Sequence, residues 1–310
     1  MNETVSPFLT GTNVQYAWDS TSLGYLKTCP RLYQYSMIEG WRSNSQSIHL
    51  KFGGWYHAAL EMYDRLRFTG YDHEEAMIAM VTWVMQDTWV LDRPWYSDHT
   101  SKTRENLVRS VIWYCDHFAE DAAETVTLAN GQPAVELSFK MNLDWGPTGH
   151  LGGTPYLLCG HIDRLVNFAG GFYVSDRKTT TSTVASNYFD QYDPDNQMSL
   201  YTLAAKVIYK TPVRGVIIDA VQIAVGFSRF SRGFTYRTDA QLEEWLADTR
   251  RWFRLAEQFA AEGHWPMNDK SCHQYGGCAF RKVCSKSPEV REKFLESDFH
   301  KEPWNPLTPR

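Results

Sequence analysis

The segment GHIDRLVNFAGGFYVSDRKT holds two carboxylates and an ammonium at spacings that can do chemistry. Asp163 lies on one predicted strand, Asp176 on the next, and Lys178 two positions after Asp176. Residues i and i+2 on a strand point to the same face, so Asp176 and Lys178 can converge, and a hairpin would bring Asp163 beside them. Such a pocket suits hard divalent cations such as Mg²⁺ or Mn²⁺, which prefer carboxylate oxygens and keep waters that can become nucleophiles. The lysine can orient that water or offset charge developing on a phosphate. An isolated Asp-x-Lys is more often a surface ion pair, so its surroundings decide the reading.

Four surrounding features bear on it. Gln197 and Tyr201 in DNQMSLYTLAAK stand four apart on a predicted helix and share one face, which can contact a substrate backbone or simply face solvent. His57 in FGGWYHAALEMY shares its face with Glu61; a histidine on a helix is commonly structural, but it also ligates metals. Glu136 lies on the first predicted strand, pointing into the same cleft or exposed. The fourth feature is a set of cysteines. Cys272, Cys278 and Cys284 are each separated by five residues in SCHQYGGCAFRKVC, and Cys29 lies far upstream in KTCPRLYQY. Four thiolates can hold a [4Fe-4S] cluster or a Zn²⁺. The one-plus-three split, with no short CxxC pair, favours the cluster. Cys115 and Cys159 sit in apolar patterns and read as buried hydrophobes.

The elements that must position these residues follow from periodicity. Helices are predicted over Lys51–Phe68, Glu74–Leu91 and Arg104–Ala123, then strands over Ala134–Met141, Tyr156–Phe168 and Gly171–Asp176. LDWGPTGHLGGTP reads as the loop between the first two strands, and Ala169-Gly170-Gly171 as the turn between the next two. A helix over Asp195–Tyr209, a β-rich run over Val213–Phe227 and an amphipathic helix over Asp239–Glu262 complete an α/β arrangement with a small mixed sheet. The expected organisation is one catalytic domain over residues 1–310, with a helical region to 128, a core over 129–230 and a C-terminal helix and cysteine segment over 231–310.

Composition narrows the class. The chain has 310 residues, 43% hydrophobic and 22% charged, with a formal charge of -5, which excludes a disordered or collagen-like chain. The most apolar stretch, Val213–Val225, is interrupted by Arg214 and Asp219, and MNETVSPFLT lacks a signal core, so a soluble, cytoplasmic protein without membrane attachment is expected. Aromatic content of 15% suits stacking on bases or a large aromatic core. Net acidity argues against coating nucleic acid by long-range charge but allows a local basic groove. Arg281, Lys282 and Lys286 near the last cysteine, Lys27 and Arg31 near the first, and Arg229, Arg232 and Arg237 after the last predicted strand are its candidates or a solvated surface. No GxxxxGK[ST] is present, so unwinding would need a helicase or recombination partner.

Taken in order, SLGYLKTCPRLYQY, FGGWYHAALEMY, GHIDRL, SDRKT, QMSLY and CHQYGGCAFRKVC resemble the PD-(D/E)XK nucleases of the RecB type, over residues 22–286. The likeness is to the branch with an iron-sulfur staple, which includes CRISPR-associated RecB-like exonucleases, the AddB nuclease domain and phage stand-alone members. The resemblance implies a restriction-endonuclease-like core. It implies His57, Asp163, Asp176 and the backbone carbonyl of Arg177 as metal ligands, Lys178 as the catalytic lysine, Gln197 and Tyr201 as the helix motif, and Cys29, Cys272, Cys278 and Cys284 as cluster ligands. The sequence departs from the family in the wide gap between Cys272 and Cys278, and in Asp176 where many members carry Glu. The implied activity is Mg²⁺- or Mn²⁺-dependent hydrolysis of DNA by an exonuclease on single-stranded or resected ends. The competing readings are a non-catalytic or partner-dependent iron-sulfur DNA-binding protein of the same fold, and a zinc-stapled RNA-processing nuclease.

Overall fold

The computed structural model describes residues 5–45, 47–148, 153–274 and 277–308. The predicted loop after Asn142 therefore lies in part, and Gly276 wholly, outside the described residues. The elements run β1 (Ala17–Trp18), α1 (Ser20–Thr28), α2 (Pro30–Tyr33), a π-helical turn (Gln34–Ile38), β2 (Trp41–Ser43), α3 (Ile48–Phe68), α4 (His73–Asp87), β3 (Trp89–Val90), β4 (Arg93–Pro94) and α5 (Arg104–His117). There follow β5 (Glu124–Thr125), β6 (Val135–Asn142), β7 (Leu157–Phe168), β8 (Gly171–Thr180), a 3-10 segment (Ser186–Tyr192), α6 (Asn196–Val207), β9 (Val213–Ile223), β10 (Ser228–Tyr236), α7 (Asp239–Glu262), α8 (Arg281–Cys284), α9 (Arg291–Asp298) and β11 (Phe299–Lys301). The fold is mixed α/β, and no helix among the described residues is long and apolar enough to cross a membrane. The chain divides into two units, each drawn from separated stretches.

One unit comprises residues 46–137 and 161–238. Its centre is β8, antiparallel to β7 in the register Arg164↔Ser175 to Phe168↔Gly171 and parallel to β9 from Phe172↔Val213 to Thr180↔Gln222. A parallel pair cannot be joined by a tight turn, so residues 181–212 form a crossover, and that crossover carries α6. Asp195 caps α6 by accepting from the Met198 N–H at 2.9 Å, which fixes where the helix starts and hence where Gln197 points. Helices α3, α4 and α5 bury Phe52, Tyr56, Leu60, Met80, Val84, Leu107 and Val111 with Val221 and Ile223 of β9 in one apolar core.

Four boundaries differ from the sequence prediction. The helix expected to reach Ala123 stops at His117, where Phe118 leaves the helical conformation as its C-cap. The helix expected to reach Leu91 stops at Asp87, because Leu91 and Asp92 adopt left-handed φ values of 52° and 58° in a tight β3–β4 turn. Strand β8 continues past Asp176 to Thr180, so Asp176 and Lys178 share one strand. The β-rich run does not end at Phe227 as one strand; β9 stops at Ile223 and SRFSRGFTY returns antiparallel as β10. Arginines and exposed aromatics on the outer residues of β10 hide its alternation. Of the three arginines after the last predicted strand, left open between a basic groove and a solvated surface, Arg232 and Arg237 are structural. Arg232 lies on β10 within 2.6 Å of Asp219 and 2.7 Å of Asp121, and buried Arg237 binds Asp193 at 3.0 Å and the Tyr192 carbonyl at 2.7 Å.

Lys102, just before α5, is fully buried, with its ammonium 4.2 Å from the centre of the Phe52 ring and no hydrogen-bond partner among the described residues. Burial pushes its pKa down to about 7. Because this lies below the value of 10.5 in an unfolded chain, the folded state carries the full cost of a buried charge below about pH 7 and sheds it as pH rises towards 10.5. Lys102→Met is therefore expected to stabilise the protein by about 1–4 kcal/mol at neutral pH. Urea melts should also show it removing the rise in stability above pH 7. A destabilised variant would contradict this.

The other unit comprises residues 1–45, 138–160 and 239–310. Strand β1 runs parallel to the first residues of β7, Ala17↔Leu157 and Trp18↔Leu158. Trp18 is fully buried between Tyr33, stacked at 5.4 Å, and Phe253 of α7, stacked at 4.5 Å. A second core of Tyr35, Trp41, Phe280, Val283, Leu295 and Phe299 packs against Cys278 and Cys284. Antiparallel pairing of β2 with β11 flanks it.

Candidate active site

Helix α3 delivers His57 to the strands. Its Nδ1 stands 3.1 Å from Oδ2 of Asp163 on β7, and the same oxygen accepts the backbone N–H of Arg177 on β8 at 2.9 Å. On β8 the Lys178 ammonium is 2.8 Å from Oδ2 of Asp176 and donates to Oε1 of Gln197 on α6 at 2.7 Å. Nε2 of Gln197 donates in turn to the Tyr201 hydroxyl at 2.9 Å, so the two residues four apart do share a face. Gly53, one turn before His57, faces β8 at ordinary contact distance; a Cβ there would lie 3.8 Å from Oγ1 of Thr179, so alanine would fit.

Glu136 joins this group. A ligand atom from each of His57, Glu136 and Asp163 lies within 4.8 Å of the others, the one such set of three found among the described residues. Glu136 sits in β6 with a left-handed φ of 48°, a conformation a non-glycine residue adopts at a cost of about 1–3 kcal/mol and one that clusters at functional sites. The sequence leaves its direction open, and no local signal foretells that left-handed conformation. Asp176 is not in this set; its Oδ2 lies 2.8 Å from the Lys178 ammonium.

Burial and charge divide the carboxylates. Burial alone would raise Asp163, but His57, through its charge and hydrogen bond, then Lys178 and the Arg177 N–H hold it well below the usual carboxylate range. Asp176 goes the other way: burial raises it and the Asp163 charge adds to this, outweighing Lys178. For Lys178, burial is outweighed by Asp176, Asp163 and Asp195, so the amine stays protonated. For His57, burial is likewise outweighed by Asp163. One carboxylate is thus fixed as an anion and its neighbour takes a proton more readily. Asp195, which the sequence reading placed only at a helix boundary, both caps α6 and supports the Lys178 charge.

The cysteines lie in the other unit. Cys29, buried at the α1–α2 junction, accepts the Asn268 N–H on its sulfur at 3.3 Å, and the Asn268 side chain holds the Thr28 carbonyl at 2.8 Å. The Cys278 N–H donates to the Cys272 carbonyl at 3.0 Å. Burial pushes the Cys278 thiol up, with Cys272 and Cys29 adding to it, and pushes Cys284 up to about 11, with Arg31 and Arg291 opposing and Cys278 and Cys29 adding. Cys278 and Cys284 therefore each feel Cys29, from the far end of the chain. None of the four is in a disulfide, and neither are Cys115 and Cys159, which are buried.

Residues 20–285 match the family model of the PD-(D/E)XK nuclease superfamily. The chain belongs to this superfamily. Comparison with curated proteins finds no match. Among solved structures, it is similar to one from Eubacterium rectale named "Putative exonuclease", with 10% identity over 94% of this chain and 91% of that one at a TM-score of 0.47. It is also similar to SSO0001, with 14% identity over 62% of this chain and 74% of that one at a TM-score of 0.26. A PD-(D/E)XK nuclease acts on nucleic acid, and His57, Glu136 and Asp163 supply a donor set of one imidazole and two carboxylates that fits a divalent cation.

Proposed function

We propose that this PD-(D/E)XK protein is a Mg²⁺- or Mn²⁺-dependent deoxyribonuclease of the RecB type, an exonuclease acting on single-stranded or resected ends. The observation that carries the reading is the Lys178 ammonium, held 2.8 Å from Asp176 and 2.7 Å from Gln197 on the strand paired with that of Asp163. Asp163, His57 and Glu136 would hold the metal, with Asp176 and the Arg177 carbonyl completing its shell. When bound, the metal supplies an acidified water and a Lewis acid for the phosphodiester. Lys178 holds its positive charge through Asp176 and positions the attacking oxygen, and Gln197 fixes the lysine rotamer. Tyr201 orients Gln197 and can contact the substrate backbone.

Cys29, Cys272, Cys278 and Cys284 would hold a [4Fe-4S] cluster, with Zn²⁺ as the alternative staple, since thiolate donors suit both. Processive unwinding would come from a helicase or recombination partner.

The test is cleavage of end-labelled linear single-stranded DNA beside a closed circle, with Mn²⁺ or chelator, comparing wild type with Asp176→Ala. Metal-dependent loss of the linear strand alone, absent in the variant, is the expected result. Loss of both substrates would make the enzyme an endonuclease. Cleavage of RNA in place of DNA, or no cleavage by a folded, metal-loaded protein, would overturn the reading.

A further inference from the structure

Each carboxylate of the proposed site on β7 and β8 is followed by an arginine: Asp163 by Arg164 and Asp176 by Arg177. Both arginines are nearly excluded from solvent, and both end on the same carboxylate. Oδ1 of Asp64 lies 3.2 Å from one terminal nitrogen of Arg164, and its Oδ2 lies 2.7 Å from one of Arg177. The three side chains are only 9%, 4% and 6% exposed, so these pairs are barely screened by water. Asp64 lies on α3, two turns beyond His57, so one rigid helix contacts β7 twice, through His57 at Asp163 and through Asp64 at Arg164, and contacts β8 at Arg177. Arg177 is further held by the Tyr114 hydroxyl at 3.1 Å, and its N–H is the one that holds Asp163.

We propose that Asp64 is a positioning residue for the metal site. By clamping Arg164 and Arg177, it fixes the separation of Asp163 and Asp176, each one residue away, and so sets the geometry in which they bind the cation. The proposal rests on the nuclease reading above. Asp64 touches neither His57, Glu136 nor Lys178 in any of the contacts of this site, so its effect reaches the metal through the two strands. Nothing in the local sequence LEMYDRLRF marks it out.

The test is Mn²⁺ binding to the DNA-free protein, followed by calorimetry and by the electron paramagnetic resonance of free Mn²⁺. Asp64→Asn keeps the shape of the side chain and removes the charge that balances the two arginines. It is expected to weaken Mn²⁺ binding about 10–100-fold, the range typical for residues that support metal ligands. Asp121→Asn serves as the control. Asp121 lies nearby, hydrogen-bonds Arg232 and makes no ion pair with Arg164 or Arg177, so Mn²⁺ affinity should fall far less than in Asp64→Asn even where stability falls. If Asp64→Asn does not fold, Arg164→Met carries the test, because it leaves the Asp64–Arg177 pair in place; it should weaken Mn²⁺ binding less severely. Unchanged affinity in a folded Asp64→Asn or in Arg164→Met, or equal losses in Asp64→Asn and Asp121→Asn, would overturn the proposal. A wild type that binds no Mn²⁺ would instead overturn the nuclease reading and the clamp with it.

Discussion

Replacing Lys178 by alanine is expected to lower the rate of strand cleavage about 10²–10³-fold, the effect typical of removing one preorganised charge aimed at a developing oxyanion. Binding of single-stranded DNA should stay near the wild-type level. The ammonium is placed by two partners on two elements, Asp176 on its own strand and Gln197 on α6, so its position is set before substrate arrives. The neighbouring acids outweigh burial and keep it protonated, so deprotonation of Lys178 should not limit activity near neutral pH. Arginine should not substitute, because a planar fork cannot occupy the point-like seat between Asp176 Oδ2 and Gln197 Oε1. Single-turnover cleavage and fluorescence anisotropy on the same DNA separate the two effects. A Lys178→Ala protein that cleaves at the wild-type rate would remove the lysine from the proposed mechanism, and parallel losses of binding and cleavage would make it a substrate contact only.

The second large effect is expected at the cysteines. Cys29 and Cys272 are 243 residues apart, and a cross-link through a shared cluster would close that loop and restrict the unfolded chain. In the chain-entropy account, a loop of this length is worth about 5–6 kcal/mol. Cys278→Ala is therefore expected to lower the melting temperature by about 10 °C, using roughly 2 °C per kcal/mol for a chain of this size. It should also remove bound iron and visible absorption. Cys278 serves well because its sulfur packs against the Tyr35–Phe280 core and feels both Cys29 and Cys272. Cys115→Ala provides the contrast: that thiol lies in the α3–α5 core, so its loss should cost packing without changing metal content. Wild type purified without oxygen that contains zinc in place of iron would establish the zinc staple. Wild type with neither metal, melting together with Cys278→Ala, would remove the staple altogether.

The asymmetry between Asp163 and Asp176 also bears on the choice of variants. Asp163 is held as an anion by His57 and by the Arg177 N–H, whereas Asp176 is buried against that fixed negative charge. The two titrate as a coupled pair, so a pH profile reports the pair and not either residue alone.

The sequence by itself determined the elements with strong periodicity and the residues whose spacing is local. Helix α7 runs Asp239–Glu262 as its amphipathic pattern predicts, because a long one-sided apolar stripe admits no competing structure. Asp176 with Lys178, and Gln197 with Tyr201, were legible as same-face pairs, since the periods of strand and helix alone bring them together. Strand β10 was not legible: it is an edge strand whose Arg232 pairs with Asp219 and Asp121, acids that lie 13 and 111 residues away in sequence. Which of the arginines were structural could not be read for the same reason.

Tertiary structure alone decided the rest. Glu136, with its left-handed φ in β6, approaches His57 and Asp163 from a separate element, and Asp64 gains its place because a helix 100 residues upstream of Arg164 packs beside β7 and β8. Cys29 comes near the C-terminal cysteines through the packing of α1 and α2 with the segment after α7. Periodicity reports the face from which a side chain leaves its own element, while the partner it meets depends on packing between elements far apart in the chain. The candidate ligands were therefore visible as separate residues, and their assembly into one site was not.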